Sequence, residues 1–230
     1  MVPILMYHNV GERERHLNVS PQALARQCRL LSAMGFHAIT LRELAEYLQA
    51  HHLPQRAVVF TFDDALLGVY EHALPILRNC GWSATMFAVS GRLGQEADWA
   101  PRHRHRVMSR EQLAELNAQG WEVGAHTLTH PYLTRLSPED ARREITQCRE
   151  DLQQLIGAEV RSFCYPYGDL DEQVVQMVQQ AGYRVACTVR KGLVRPHDNP
   201  LTLPRVPIAY SDGATGLLYR LWRAWKRTPR

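Results

Sequence analysis

One punctuation mark recurs along this chain: a helical pattern, then glycine, then an aromatic residue that opens a buried strand. It stands at Gly35-Phe36, Gly81-Trp82, Gly120-Trp121 and Gly182-Tyr183. Glycine suits the left-handed position just past a helix, and the aromatic residue begins the next element of the core. The helix starts agree. Ser20-Pro21 and Ser137-Pro138 each place a capping hydroxyl before a proline at the first helical position, and Ser109 with Gln112 has capping-box spacing. Strands are predicted at 2–7, 36–40, 57–62, 84–89, 121–125, 161–165, 183–188 and 203–207. Helices are predicted at 21–34, 41–49, 69–79, 110–119, 138–156, 171–181 and 213–225. Short buried strands alternating with helices imply an α/β fold with a parallel sheet, either closed as a barrel or open and doubly wound. The number of strands favours the barrel.

Composition narrows the function classes. The 230 residues are 45% hydrophobic and 22% charged, an ordinary globular mixture able to bury a sizeable core. The formal charge of +4 is mild and no nucleic-acid-reading signature is present, so no nucleic-acid partner is expected. Cys28, Cys80, Cys148, Cys164 and Cys187 form no C-x-x-C pair, which suggests neither a disulfide framework nor a thiolate zinc site. The start, Met1-Val2-Pro3-Ile4-Leu5-Met6-Tyr7-His8, lacks a basic region and a long apolar run. As written the sequence shows no signal peptide, and the expected location is cytoplasmic.

The unusual polar residues fall at one kind of place. Asp63-Asp64, His126, His8 and Pro166-Tyr167-Gly168 each follow the C-terminal end of a predicted strand. In a parallel barrel those ends share the face on which active sites are built. His126 and His130 stand at i and i+4, which on a helical turn lets both reach one metal; two polar loop histidines are the structural alternative. Adjacent buried carboxylates repel each other unless something cationic compensates, although a capping pair is again possible. Successive side chains leaving a strand point in different directions, so one aspartate can bind a metal while its neighbour faces the hydrolytic water. Two histidines and a carboxylate suit zinc or another borderline divalent ion.

Thr61-Phe62-Asp63-Asp64, His126-Thr127-Leu128-Thr129-His130 and Tyr165-Pro166-Tyr167-Gly168 occur in the order and approximate spacing of NodB-like polysaccharide deacetylases, carbohydrate esterase family four. The resemblance runs from about Pro3 to Pro207 and extends to the flanks Gly120–His126 and Phe163–Asp169. It implies a single-domain, distorted (β/α)7 barrel over 1–210, followed by a basic amphipathic helix over 211–230. It implies a hydrolase that removes an N-acetyl group from an amino sugar of a polysaccharide or glycan precursor. Asp64, His126 and His130 would hold one divalent metal, zinc with cobalt, nickel or iron as alternatives. Asp63 would be the general base toward the hydrolytic water, and the backbone N–H of Tyr167 would face the oxyanion. Tyr165, Pro166 and Tyr167 would line the substrate. Many members carry the histidine acid on a late strand; here the chain is similar to a subset that has it in an early Met-Tyr-His, which points to His8.

Three departures stand out. Ala65 replaces the usual glycine, Cys164 stands where many members have the arginine that orients the base, and the later Asp-Trp motif is missing. Arg205 is a candidate replacement for that guanidinium. Tyr7, Tyr165, Tyr167 and Trp99 are candidates to stack on sugar rings, Tyr167 foremost, most aromatics being core. The run Arg102–Arg106 is either a solvated loop or an anion-recognising one. The stretch Leu217–Arg227 mixes bulky apolar and basic residues, so it either packs on the barrel or lies on an anionic membrane surface, peripheral to the inner membrane. The latter suggests a lipid-linked amino sugar as substrate. Rival readings are a carbohydrate-binding homologue without catalysis, iron-dependent oxygen chemistry, and hydrolysis of an O-acetyl ester or another amide.

Overall fold

The computed structural model describes residues 1–12, 17–99, 105–210 and 212–228. Gly35, Gly81, Gly120 and Gly182 take φ of 76°, 68°, 90° and 90°, the left-handed stops that the repeating pattern requires. The predicted caps form as well. Ser20 accepts from Ala23 N, Ser137 from Asp140 N, and Ser109 with Gln112 closes both halves of a capping box.

In chain order the strands are β1 (Ile4–Tyr7), β2 (Asn9–Val10), β3 (Asn18–Val19), β4 (His37–Ile39), β5 (Ala57–Phe62), β6 (Thr85–Ala88), β7 (Glu122–Ala125), β8 (Ser162–Cys164), β9 (Val185–Lys191) and β10 (Leu203–Pro207). The helices are α1 (Pro21–Ala33), α2 (Leu41–Gln49), α3 (Leu74–Asn79), α4 (Arg110–Ala118), α5 (Pro138–Ile156), α6 (Glu172–Gln180) and α7 (Ala214–Arg227). Among the described residues, seven parallel strands close in the order β1-β10-β9-β8-β7-β6-β5, with β5 returning to β1. This is the expected (β/α)7 barrel. The strand predicted at 36–40 is not a stave of it. β4 pairs with Ala57–Val59 of β5, while β6 takes Thr61 and Phe62 along the same edge. The helix predicted at 69–79 begins as a π-turn over Val69–Ala73, with Leu74 N–H reaching Val69 O. Pro75, which has no N–H to give, sits in the first turn of α3 beyond it.

Strand alternation sorts two apolar clusters. Leu5, Val58, Phe60, Met86, Ala186 and Val206 pack outward beneath the helices. Ile4, Val59, Phe87, Cys164, Val185, Cys187 and Leu203 face one another inside the barrel. Leu41, Leu44, Ala45 and Leu48 of α2 join this inner cluster and plug one end. The plug is fixed by polar contacts: Leu41 N donates to Thr85 Oγ1 at 2.9 Å, and Arg42 N to Glu122 Oε2 at 2.9 Å. Thr85 and Glu122 open their strands, so the closed end is the N-terminal one and the C-terminal ends stay open.

A small parallel pair, β2 with β3, crosses beside the open end. Gly68 lets it approach: a Cβ there would lie 2.3 Å from Val10 O and 2.5 Å from Asn9 Oδ1. Gly68→Ala is therefore expected to lower unfolding stability by about 1–3 kcal/mol, the usual cost of overpacking. An unchanged denaturation midpoint would mean that the strand pair moves aside freely.

Candidate active site

The alternation that fills the barrel also aims the site. Val59 and Thr61 point inward on β5, so Asp63 continues that row past the strand end. Glu122 and Gly124 lead in the same way to His126, and Ile4 and Met6 lead to His8. Asp64 lies off this register. Its φ of 73° and that of Ala65, 52°, turn the chain through left-handed conformations. This accounts for the glycine usual at the Ala65 position, and it swings the Asp64 carboxylate toward the histidines. Asp64 Oδ1 lies 3.5 Å from His126 Nε2 and 3.4 Å from His130 Nε2.

Residues 126–130 are not the helical turn expected from the i, i+4 spacing. Thr127 and His130 have φ of 67° and 65°, and this folded loop brings the two imidazoles together. Two devices hold it. Thr127 Oγ1 accepts from His130 N at 3.0 Å, and the buried Glu144 of α5 accepts from Thr129 N at 2.8 Å and Thr129 Oγ1 at 2.6 Å. Sequence reasoning missed Glu144, which looks there like any acid on an amphipathic helix. Its removal in Glu144→Ala should release the loop and weaken zinc binding roughly 10–100-fold, as loss of outer partners does. Competition against a chelator reads this directly, and unchanged affinity would show that the loop holds itself.

The donor set of Asp64, His126 and His130 fits a divalent cation. His126 Nδ1 lies 2.7 Å from Cys164 O, and a carbonyl only accepts, so Nδ1 carries the proton and Nε2 is left as an acceptor. That acceptor faces the carboxylate. Asp64 Oδ1 is buried with no hydrogen-bond partner, as is His130 Nδ1. Burial, and then the neighbouring Asp63 charge, push the Asp64 carboxyl up to about 8. Burial, and then His126, push His130 down to about 2. Burial also lowers His126. Three buried groups whose ligand atoms lie within 4.8 Å of one another, one of them a carboxylate oxygen without a hydrogen bond, make a donor set that suits a divalent cation.

Asp63 has a different partner. Arg205 is 1% exposed. Its Nη1 donates to Asp63 Oδ1 at 2.7 Å and its Nη2 to Oδ2 at 2.8 Å. Thr188 O accepts from Arg205 Nε at 2.9 Å, Thr61 Oγ1 from Nη1 at 3.0 Å, and Cys164 Sγ from Nη2 at 3.1 Å. The guanidinium thus reaches from β10 to the Cys164 side chain, at the very position where the departure from the family pattern lies. Burial alone would raise Asp63, but the Arg205 charge and its hydrogen bonds outweigh it and hold the carboxyl well below the usual range. Asp63, His126 and Cys164 also cluster closely enough to suggest a cation site, yet Arg205 already occupies both Asp63 oxygens and the sulfur. His8, partly exposed, places Nε2 4.0 Å from Asp63 Oδ2.

An aromatic wall borders these groups. The Trp99 ring stacks on His130 with centroids 4.7 Å apart. Tyr167, at φ 59° and 40% exposed, meets His130 edge-on at 4.5 Å. Tyr132, which sequence reasoning missed, stacks on Tyr167 at 4.0 Å and carries Arg135 4.1 Å from its ring centroid. The expectation for Tyr165 needs correcting. Its side chain is buried, its ring packs against Phe163, and its hydroxyl donates to Leu201 O at 3.0 Å, leaving no face for a sugar. Pro166 is buried too, and the buried Tyr7 donates to Gln27. Of the run Arg102–Arg106, positions 102–104 lie outside the described residues; the Arg106 backbone forms an isolated antiparallel β-bridge with that of Glu96, and His105 Nδ1 lies 3.4 Å from Asn9 Nδ2.

Comparison with known proteins gives the same picture. The sequence profile described as polysaccharide deacetylase matches residues 50–186. The poly-beta-1,6-N-acetyl-D-glucosamine N-deacetylase of Staphylococcus aureus is 25% identical over 95% of this chain and 76% of its own. The structure of IcaB from Ammonifex degensii superposes with a TM-score of 0.85 at 26% identity, covering 95% of this chain and 96% of that one. The deacetylase PplD of Streptococcus pyogenes, solved with acetate, gives 0.85 at 23% identity over 96% and 97%, a likeness of fold. With its barrel and its paired aspartates and histidines, the chain belongs to the polysaccharide deacetylase family of hydrolases.

Proposed function

We propose that this chain is a metal-dependent N-deacetylase that removes acetyl from the nitrogen of an amino sugar, in a polysaccharide or in a lipid-linked glycan precursor. The observation that carries this is the unequal treatment of two adjacent aspartates. Arg205 grips both oxygens of Asp63, while Asp64 turns a partnerless oxygen toward two histidine Nε2 atoms.

Asp64, His126 and His130 would hold the ion, zinc in the first instance, with cobalt, nickel or iron as alternatives. A divalent ion bound there supplies Lewis acidity and lowers the pKa of water. Asp63, kept ionised and oriented by Arg205, takes the proton from the attacking water. A carboxylate held so low is a weak base, so it suits only a water already made acidic, and the two assignments support each other. The backbone N–H of Tyr167 donates to the oxyanion that forms on the amide carbonyl. His8 protonates the departing amine as the C–N bond breaks. β1 pairs with β10, so a histidine after the first strand stands in the same sector as one after the last. The exposed Tyr167 ring is the sugar-facing member of its motif.

The C-terminal helix supports peripheral contact with an anionic membrane. Tyr219, Trp222 and Trp225 are 55%, 48% and 45% exposed beside basic residues. Among the described residues no helix is long and apolar enough to cross a membrane.

The test is acetate release from soluble poly-β-1,6-N-acetylglucosamine oligomers and from a lipid-linked N-acetyl amino sugar. Metal-stripped protein is compared with protein given back zinc, cobalt, nickel or iron. Metal-dependent acetate is expected. Tight metal binding with no acetate would favour a non-catalytic sugar binder, and oxygen uptake with iron would favour oxidative chemistry. Full activity on soluble oligomers with none on the lipid-linked sugar would remove the precursor reading.

A further inference from the structure

Among the described residues, basic side chains gather where α7 packs beside β10 and the end of β9. A cavity of about 180 Å³ opens there, lined by Lys191, Tyr219, Arg220, Arg223 and Arg227, with Asp212 as its acid. Asp212 is already committed: it pairs with Arg220 and accepts from Ala209 N at 2.7 Å. Among the described residues Lys191, Arg223 and Arg227 have no carboxylate within ion-pair distance. An adjoining cleft shares Lys191 and Arg227 and adds Arg190. Like charges gathered around a concave space repel one another, and an anion seated among them relieves that repulsion. Arginines favour the phosphoryl group in particular, since a guanidinium meets two of its oxygens at once.

The surface beside the cavity indicates what carries that phosphoryl group. On α7, Leu218, Trp222 and Trp225 follow at i, i+4 and i+7 and share one flank, all of them exposed. Arg220, Arg223 and Arg227 share the other. The buried Leu217 and Ala224 lie between the flanks and seat the helix on the barrel. A free phosphate ion has no use for an exposed apolar flank. A phospholipid headgroup does, because aromatic residues settle at the interface while cations reach its phosphate.

We propose that the pocket between α7 and the β9–β10 edge binds the phosphoryl group of an anionic phospholipid, with the Leu218–Trp222–Trp225 flank lying in the headgroup region. This deepens the membrane contact proposed above and is independent of the deacetylation chemistry.

The experiment is co-sedimentation of the full chain with vesicles of phosphatidylcholine alone or mixed with phosphatidylglycerol. Inorganic phosphate and glycerol phosphate serve as soluble competitors. Binding is expected only with phosphatidylglycerol, and glycerol phosphate should reduce it. The double variant R223Q/R227Q should lose roughly 30-fold in vesicle affinity, the electrostatic share of two basic residues at a membrane surface. The control R142Q/R143Q removes the same charge from α5 and should leave binding unchanged. Equal losses in the two doubles would overturn the pocket, since net charge would then explain binding. Capture of inorganic phosphate without vesicle binding would overturn the lipid assignment. Acetate release from soluble oligomers by R223Q/R227Q should match the unsubstituted chain, so a failed membrane test is separable from a failed deacetylase reading.

Discussion

Replacing Asp63 by asparagine should lower kcat/KM for acetate release by roughly 10²–10⁴ while leaving zinc affinity within a few-fold of the unsubstituted chain. Asparagine keeps the shape of the side chain but has no lone pair basic enough to take a proton from water. Its amide also turns donors toward Arg205, whose Nη1 and Nη2 now meet acceptors at 2.7 and 2.8 Å. Metal affinity should survive because the three converging ligand atoms come from Asp64, His126 and His130. A variant that loses acetate release only because zinc is lost would contradict the assignment of Asp63 as base. Measuring bound zinc in the same samples separates the two.

Arg205→Met should cost about 3–5 kcal/mol of unfolding free energy, the range found when one member of a buried ion pair is removed. Methionine fills much of the volume, so the loss comes from the Asp63 charge left without its partner. The pH dependence has a definite sign. A carboxyl whose folded pKa lies below its unfolded value stabilises the fold above the unfolded value, and that contribution fades as pH falls through the folded one. The gap between the two proteins should therefore be full at neutral pH and narrow below about pH 4. The double variant D63N/R205M should regain part of the loss, because neither residue is then a buried, unpaired charge. A single-variant penalty below about 1 kcal/mol at neutral pH would mean that solvent reaches Asp63.

Much of this molecule is legible in its sequence, for local reasons. Left-handed glycines, hydroxyl caps and apolar runs are read from neighbours along the chain, and β5 and β10 fall where those signals put them. The barrel staves and the histidine loop are less legible, because they depend on contacts between distant segments. β4 has a strand's sequence but finds a place only against half of β5. Tyr165 and Tyr167 sit two residues apart in one motif, and nothing local says that one ring is core and the other exposed. The left-handed turn at Tyr167 decides it. Arg205 was legible as the candidate for the missing guanidinium, and alternate positions along 203–207 give Leu203 and Arg205 one face, the inward one on which Leu203 packs. Glu144 was not, since its partner Thr129 is set by the fold of a loop.

The division of labour between the two aspartates is the centre of this account, and a zinc titration of Asp63→Asn beside Asp64→Asn tests it most directly. Competition against a chelator of known affinity should show near-normal zinc binding when Asp63 is replaced. It should show a loss of at least 100-fold when Asp64 is replaced. Equal loss in both variants, or loss confined to Asp63→Asn, would contradict the assignment of Asp64 as ligand and Asp63 as base.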